Sequence, residues 1–386
     1  MLTELPFHIP FNKPYLTGNE LRYIAEAAAQ GKLSGNGAFT HRCQEFFQEE
    51  YGFGKALLTN SGTAALEMAA LLLDLQPGDE VILPSFTFTS TANAFLLRGA
   101  TLRFADSSAL HPNLDPAEIA RLITPRTRAV VVVHYAGVAC NLAAILPLIE
   151  KHHLILIEDA AQAIESFHDR RRLGSVGHFA AFSFHETKNI SAGEGGLLAI
   201  NDAKFARRAE IIWEKGTNRA AFFRGETAKY QWVDIGSSFL PSEMTAAFLW
   251  AQLEHRQCIL QRRRQQWITY EQGLAPLAAL GLLLPHIPVY AQEHNGHIFY
   301  LICRSFEERQ QLIQYLADQN ILAVFHYQPL HNSPYFHSQY SGPNLRNSEN
   351  YAQRLLRLPL YYELSEQQQS RVINHVLGFY TTQHLH

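Results

Sequence analysis

The sequence predicts an α/β protein built on a parallel or mixed β-sheet that is covered by helices on both faces. Between about residues 56 and 200, short apolar runs alternate with helical patterns. Runs such as AVVVVHYAG (129–137) are continuously apolar, as is typical of strands buried on both faces. After about residue 256, a second and shorter series of helix and strand patterns begins. These observations favour a large mixed-sheet α/β domain followed by a smaller C-terminal α/β domain.

The individual elements of the first series follow from local patterns. Each predicted strand is a short apolar run, and the first, GDEVILPS, starts at a turn, whereas HHLILIEDAA ends in two acidic residues. The predicted strands are 78–85, 129–137, 152–161, 179–184 and 195–200, and the predicted helices between them include Thr63–Leu73 and Ala143–Lys151. In such sheets, ligands bind at the carboxyl ends of the strands, where His134, Asp159, Ser183 and Lys188 lie.

The rest of the chain is more helical, with one long loop. The loop, 216–242, is polar and aromatic and contains several glycines and Pro241. A helix with a basic face (258–274), a strand (297–306) and a further helix (307–319) follow. We therefore predict a large domain, with the N-terminal segment, at 1–255 and a small domain at 256–386.

Composition narrows the class of protein. Of the 386 residues, 47% are hydrophobic and 17% are charged, which is typical of a globular chain and not of a disordered one. The formal net charge of −3 offers no electrostatic argument for nucleic-acid binding. The four cysteines are far apart, so neither a zinc site nor a disulfide framework is expected. No signal peptide or membrane-spanning run is evident, and a cytoplasmic protein without metal is predicted.

A first candidate binding feature is the segment TNSGTAALEMAALLL (59–73). It places Gly62 and Thr63 at a turn that opens an apolar helix. Free N–H groups and the helix dipole at such a position favour a phosphate. A simple serine or threonine cap is the alternative interpretation.

Two further segments carry reactive groups. LILIEDAAQAI ends a strand with Glu158 and Asp159, followed by Gln162, and a carboxylate there can bind a metal, a ribose or a protonated ring nitrogen. AAFSFHETKNISAGEGG places Ser183 after a strand and Lys188 in the following polar loop. A lysine in a cleft that lowers its pKa is suited to Schiff-base chemistry, although most lysines are solvated surface residues.

The order of these motifs resembles that of the DegT/DnrJ/EryC1/StrS family of nucleotide-sugar aminotransferases. The resemblance extends from PFNKPYLTG (10–18) to YQPLH (327–331). It implies pyridoxal 5'-phosphate as the cofactor, bound by a protein of fold type I (aspartate aminotransferase-like). Lys188 would bind the cofactor as a Schiff base and move the substrate proton. Asp159 would pair with the ring nitrogen, Gln162 would bond the phenolic oxygen, and Phe88 would stack on the ring.

The resemblance also implies a phosphate site shared between two subunits. Gly62, Thr63 and Ser183 would bind the phosphate. In many members, a G-x-N-x-R segment from the partner subunit adds an asparagine. The corresponding segment here is GSSFL, in which Ser238 replaces that asparagine and a leucine replaces the arginine. A homodimer is therefore expected, with a departure from the family pattern at this contact.

The implied reaction is amino transfer from L-glutamate to C4 of a dTDP-4-keto-6-deoxyhexose. Candidate substrate contacts are His185, Lys215, Arg219, Tyr230, His326 and Tyr327. Three alternatives are open: a sugar aminotransferase acting at C3 or on a UDP-sugar, a dehydratase of the family, and a non-catalytic regulator that retains the fold. Such dehydratases have a histidine in place of the lysine, so Lys188 argues against that alternative.

Overall fold

A computed structural model describes residues 8–383, so residues 1–7 and 384–386 at the ends of the two predicted domains lie outside the description. The strands are β1 (Lys55–Thr59), β2 (Glu80–Pro84), β3 (Thr101–Ala105), β4 (Thr127–Val133), β5 (Ile155–Asp159), β6 (Phe167–His168), β7 (Arg171–Arg172), β8 (Phe179–Ser183), β9 (Gly196–Ile200), β10 (Tyr300–Ile302), β11 (Val324–Phe325) and β12 (Leu355–Arg357). The α-helices are α1 (Glu20–Ala29), α2 (Ala38–Tyr51), α3 (Gly62–Leu72), α4 (Thr89–Leu96), α5 (Pro116–Leu122), α6 (Leu142–Lys151), α7 (Ala206–Trp213), α8 (Arg219–Phe223), α9 (Glu243–Glu254), α10 (Arg256–Leu274), α11 (Phe306–Asp318), α12 (Arg346–Arg354) and α13 (Glu366–Gln383).

Seven strands form one mixed sheet in the order β1-β9-β8-β5-β4-β2-β3. All neighbouring pairs from β8 to β3 are parallel, whereas β9 is antiparallel to both β8 and β1. The predicted α/β class with a large mixed sheet is confirmed. The predicted long loop differs in one detail, because it contains the short helix α8.

Alternate residues of the central strands pack into two separate hydrophobic clusters. Val130 and Val132 of β4 belong to one cluster, and Ala129 and Val131 belong to the other. Successive side chains of a strand point to opposite faces, so the continuously apolar β4 is explained by burial on both faces.

The carboxyl ends of β1, β2, β4, β5 and β8 meet at one edge of the large sheet, because these strands run in the same direction. The register pairs Val133 with Asp159 and Asp159 with Ala181. The residues that immediately follow these strands are therefore brought together at that edge.

A three-stranded sheet, β10-β12-β11, forms the centre of the smaller part of the chain. Side chains of α10, α11 and α13 pack into a hydrophobic cluster with β10 and β12. Ile9 is buried in the same cluster, and its backbone bonds Asn320 and Leu322. At this residue the N-terminal segment packs with the smaller part of the chain. The boundary near 255 falls between α9 and α10 and remains a prediction.

Within residues 8–383, no helix combines the length and the hydropathy needed to cross a membrane.

Candidate active site

The N-terminus of α3 forms a cradle at the carboxyl end of the large sheet. Ser61 caps the helix by accepting a hydrogen bond from the Ala64 N–H at 3.1 Å. A Cβ atom on Gly62 would lie 2.9 Å from the Cβ of Ser183, so only glycine allows α3 to approach β8 this closely. The first turn of α3 therefore lies against Ser183, and the free N–H groups at the start of the helix suit a phosphate.

Thr63 connects this cradle to α4. Its hydroxyl bonds that of Ser90 at 2.7 Å. One residue further along α4, the Thr91 hydroxyl donates to the Asp159 carboxylate at 2.7 Å. The helix therefore joins the phosphate cradle to the carboxylate at the end of β5.

Asp159 is a buried carboxylate with two protein donors. Besides Thr91, the Ala161 N–H donates to it at 3.2 Å. Burial raises the pKa of Asp159, while these hydrogen bonds and the charge of Lys188 act in the opposite direction. A cationic or N–H partner, such as a protonated ring nitrogen, would stabilise its ionised form.

Glu158, the neighbour of Asp159, points away from the site and has a structural role. It accepts hydrogen bonds from the N–H groups of Gly174, Val176 and Gly177 at 2.6–2.9 Å. The ring of His134 accepts from the Cys140 N–H, so its other nitrogen donates to Glu158 at 2.8 Å. Burial opposes ionisation, but the bonds from His134 and the backbone outweigh it and lower the pKa of Glu158.

Gln162 is held with its amide nitrogen directed towards an aromatic group. Its oxygen accepts from the Ala136 N–H at 2.6 Å, and its nitrogen donates to the Tyr327 hydroxyl at 3.0 Å. The Phe88 ring is 58% exposed and lies 6.2 Å from the Tyr327 ring. A planar ligand could therefore contact the free face of Phe88 and the Gln162 amide at once.

Lys188 is partly buried in the loop that follows β8. Burial lowers the pKa of its amine to about 8, although the negative charges of Asp159 and Glu194 raise it. Arg357 acts in the same direction as burial. A much larger fraction of the amine is therefore neutral and nucleophilic near neutral pH than for a solvated lysine.

Comparisons with known proteins agree with this geometry. The model of the DegT/DnrJ/EryC1/StrS aminotransferase family matches residues 14–377. The spore coat polysaccharide biosynthesis protein SpsC of Bacillus subtilis is 32% identical, over 97% of this chain and 98% of SpsC. The chain belongs to the DegT/DnrJ/EryC1/StrS aminotransferase family.

Solved structures of other proteins show the same fold. The aminotransferase TlmJ from Streptoalloteichus hindustanus superposes with a TM-score of 0.89 and 29% identity, covering 97% of this chain and 99% of TlmJ. DesV from S. venezuelae superposes with a TM-score of 0.86 and 31% identity, covering 95% of this chain and 97% of DesV. The fold is therefore type I of the pyridoxal phosphate enzymes, as the sequence predicted.

The site fits the cofactor that the family uses, which is pyridoxal 5'-phosphate. The α3 cradle suits the phosphate, Asp159 suits the ring nitrogen, and Lys188 suits the aldehyde. Family membership also identifies the chain as a sugar aminotransferase, which acts on a sugar substrate and an amino donor.

Several of the predicted substrate residues lie beside Lys188. The backbone oxygen of His185 accepts the Lys188 N–H at 2.9 Å, and its ring bonds Thr187 and lies 3.7 Å from Glu194. The His326 ring bonds the Tyr135 hydroxyl at 3.1 Å. Burial, together with the charges of Arg357 and Lys188, holds the pKa of His326 well below its usual range.

The residues predicted in the long loop form a separate group. Arg219 lies 3.5 Å from Glu214 and over the Phe223 ring, and Tyr230 packs against Phe222. Lys215 is exposed. Within the described part of this single chain, no hydrogen bond, ion pair or ring contact connects these side chains to the surroundings of Lys188. Their role as substrate contacts stays a prediction.

Ser238 is exposed in the same loop and remains a predicted phosphate contact. Its backbone oxygen accepts from the Asn60 side chain at 3.3 Å, next to the α3 cradle. Its hydroxyl is therefore available to another molecule.

Sequence reasoning missed several residues around the site. Thr91 holds Asp159, Tyr135 holds His326, and Arg357 places a positive charge near Lys188. The run LLRLPL, in which Arg357 stands between two buried leucines, was a usable signal. Thr91 and Tyr135 gave no comparable signal, because an isolated threonine or tyrosine in the sequence is uninformative.

Proposed function

We propose that this enzyme transfers the amino group of L-glutamate to C4 of dTDP-4-keto-6-deoxy-D-glucose. The products would be dTDP-4-amino-4,6-dideoxy-D-galactose and 2-oxoglutarate. The observation that carries transamination is the partly buried Lys188 amine, whose pKa is lowered to about 8 and which interacts with the charge of Asp159. A regulator or a dehydratase would not need a proton-carrying lysine here.

Some residues of the chain would bind the cofactor, and Lys188 would transfer the proton. Gly62, Thr63 and Ser183 would hold the cofactor phosphate, and Asp159 would keep the ring nitrogen protonated. The bound ring withdraws electrons from the carbon atom that loses its proton. Lys188 would remove the α-proton of glutamate and later deliver a proton to one face of C4 of the sugar. Delivery from one face would set the galacto configuration.

The narrower substrate assignment rests on sequence likeness. The segments SFHETKNISAGEGG, EKGTNRAAFFRGE and YQWVDIGSSFLPS resemble the dTDP-4-amino-4,6-dideoxygalactose transaminase of enterobacterial common antigen synthesis. The serine at 238, in place of the usual asparagine, separates the chain from the general family pattern and supports the narrower assignment.

We also infer a homodimer that acts in the cytoplasm. The exposed loop at 216–242, with Ser238, Arg219 and Lys215, would contribute to the neighbouring subunit's site. All four cysteines are free, which suits a reducing compartment.

The first test is the visible absorption of the purified holoenzyme before and after L-glutamate. We expect the cofactor band of the wild type to be replaced by that of the amino form. The amino form should then return to the starting spectrum with dTDP-4-keto-6-deoxyglucose. We expect Lys188→Ala to lose turnover by about 10³-fold or more while folding normally. Lys151→Ala, at an exposed position in α6, is the matched control.

Three outcomes would each contradict a different part of the proposal. A cofactor band that glutamate does not change would exclude this donor. Recovery only with a UDP-sugar or a 3-keto sugar would exclude the proposed acceptor. Full turnover by Lys188→Ala would exclude the role of that lysine.

A further inference from the structure

Three buried polar side chains join the loop that carries Lys188 to the segment that precedes β10. They are Asn189, which directly follows Lys188 in the chain, together with Asn295 and His297. Each of the three residues is exposed to 8% or less. Polar side chains at this depth are costly unless they are hydrogen bonded, and their partners therefore show what the three residues hold in place.

The Asn189 amide group binds both of the other members of this cluster. Its nitrogen donates to the backbone oxygen of Asn295 at 3.0 Å, and its oxygen lies 2.7 Å from Nδ1 of His297. Because an amide oxygen can only accept, Nδ1 of His297 is the donor. Burial, reinforced by the charge of Lys188, holds the pKa of His297 well below its usual range, so the ring is neutral and carries its proton on Nδ1.

The Asn295 side chain connects the Lys188 loop to the segment that holds Gln162. Its nitrogen donates to the backbone oxygens of Gln162 and Ile164, both at 2.8 Å. Its oxygen accepts from the His297 N–H at 3.0 Å, and its own N–H donates to the Ser166 hydroxyl at 3.0 Å. One residue therefore holds the segment after β5 at three points.

Gly137, in the loop that follows β4, allows Asn295 to approach so closely. Its φ is 77°, and a Cβ atom there would overlap the side-chain oxygen of Asn295. The preceding residue, Ala136, donates its N–H to the Gln162 side chain at 2.6 Å. Gln162 is therefore fixed at its backbone by Asn295 and at its side chain by Ala136.

The position of the Lys188 amine depends on how firmly the backbone around it is held, because its side chain is long and flexible. The Lys188 N–H bonds the backbone oxygen of His185 at 2.9 Å on one side. On the other side, the Asn189 side chain ties the next residue to the cluster. A displacement of about 1 Å at a reacting group can slow a reaction about hundredfold.

We propose that Asn189, Asn295 and His297 are positioning residues, which hold Lys188 and Gln162 in place relative to each other for proton transfer. This inference rests on the proposed function. Because the cluster acts on Lys188 through the backbone, its loss should slow the reaction of the bound amino donor. Binding of the donor should remain nearly unchanged.

The test compares two variants of similar size at position 297 in rapid-mixing experiments on the holoenzyme with L-glutamate. In His297→Asn the new amide nitrogen can replace Nδ1 as the donor to Asn189, whereas His297→Leu has no donor. We expect the rate at saturating glutamate to fall about tenfold to hundredfold in His297→Leu and less than about threefold in His297→Asn. The glutamate concentration that gives half of the maximal rate should change by less than about threefold in both variants.

Asn189→Ala breaks the same hydrogen bond from the other side. We expect a loss of rate at least as large as that of His297→Leu, because the bond to Asn295 is lost as well. The double variant should react about as slowly as Asn189→Ala alone, since both substitutions remove one shared contact. Two losses that multiply would contradict action through this contact.

Asn201→Ala is the control for the loss of amide hydrogen bonds, because Asn201 donates to the backbone oxygens of Gly174 and Gly177 at 2.9 and 2.7 Å. It should lower the temperature of thermal unfolding without slowing the reaction of bound glutamate. Unchanged rates in His297→Leu and Asn189→Ala, or equal losses in His297→Leu and His297→Asn, overturn the positioning role. A wild type whose cofactor band glutamate does not change overturns the proposed function instead.

Discussion

At the scale of single residues, the site depends on opposing effects on two charges. Burial disfavours the charged forms of both Lys188 and Asp159, while their mutual attraction favours them. Lys188 remains close to half neutral at about pH 8 as a result. An amine that is both near a carboxylate and readily deprotonated is suited to act as a nucleophile and as a proton carrier.

This balance predicts the pH dependence of Lys188 reactivity in the cofactor-free protein. A lowered pKa means that the neutral amine accumulates as the pH rises through about 8 rather than 10.5. Competitive labelling with an amine-specific acylating reagent, read by peptide mass spectrometry, should give a midpoint near that value. Exposed Lys151 in the same sample serves as the internal reference for the reagent.

Asp159→Asn extends this experiment. Removal of the negative charge should shift the midpoint of Lys188 labelling to lower pH, because Asp159 favours the charged amine. A wild-type midpoint near 10.5, or a shift to higher pH in Asp159→Asn, would contradict the electrostatic description.

At the scale of elements, the cofactor cradle depends on the close approach of α3 to β8. After Ser61, Gly62 lies against Ser183, and the Thr63 hydroxyl bonds that of Ser90. The short distance between Gly62 and Ser183 requires glycine at position 62. The apolar face of α3 is buried in the large core, so the helix has little freedom to move away.

Gly62→Ala is therefore expected to weaken cofactor binding. Its new methyl group would displace Ser183 or the helix end, and we expect the dissociation constant of pyridoxal phosphate to rise about tenfold. Gly378→Ala in α13 is the control, because its Cβ would lie 3.9 Å from the Tyr315 hydroxyl, an ordinary van der Waals distance, and alanine should stabilise the helix slightly. Equilibrium titration of the cofactor-free proteins with pyridoxal phosphate measures the affinity of both variants. An unchanged affinity in Gly62→Ala would show that the cradle lies elsewhere.

At the scale of the whole molecule, the long loop exposes apolar side chains that a monomer would leave in water. Trp232 is 83% exposed, and Phe223 and Tyr230 are exposed nearby in the sequence. Exposed apolar clusters of this kind often mark protein interfaces. Their position in the loop with Ser238 agrees with the proposed shared site.

Trp232→Asp should accordingly shift the protein from dimer towards monomer. Because the proposed phosphate site is shared between subunits, the cofactor affinity should fall as well. Sedimentation velocity measures the first effect, and cofactor titration measures the second. Val289→Asp, at an equally exposed apolar position outside the loop, should leave both unchanged. A variant that stays dimeric would place the interface on another surface.

The fold was largely predictable from sequence, whereas the site was predictable only in part. Buried strands such as β4 and β5 can be predicted from the sequence because their apolar runs reflect burial on both faces. Lys188, Asp159 and Gln162 could be predicted because they lie at or soon after the ends of recognisable strands, in a characteristic order. Arg357 and Thr91 were missed, because they reach the site from a distant strand and from a helix face that no local pattern identifies.

The amino-acid sequence determined the family, the cofactor chemistry and the residues at the strand ends, since those properties are encoded in short local motifs. Only the tertiary structure decided that Glu158 supports the backbone while Asp159 faces the site, because neighbouring residues of a strand point to opposite sides. It also decided that burial lowers the pKa of Lys188 and that the charge of Arg357, from the small sheet, acts in the same direction. Burial and charge proximity depend on segments far apart in the chain, so they arise only when the chain folds.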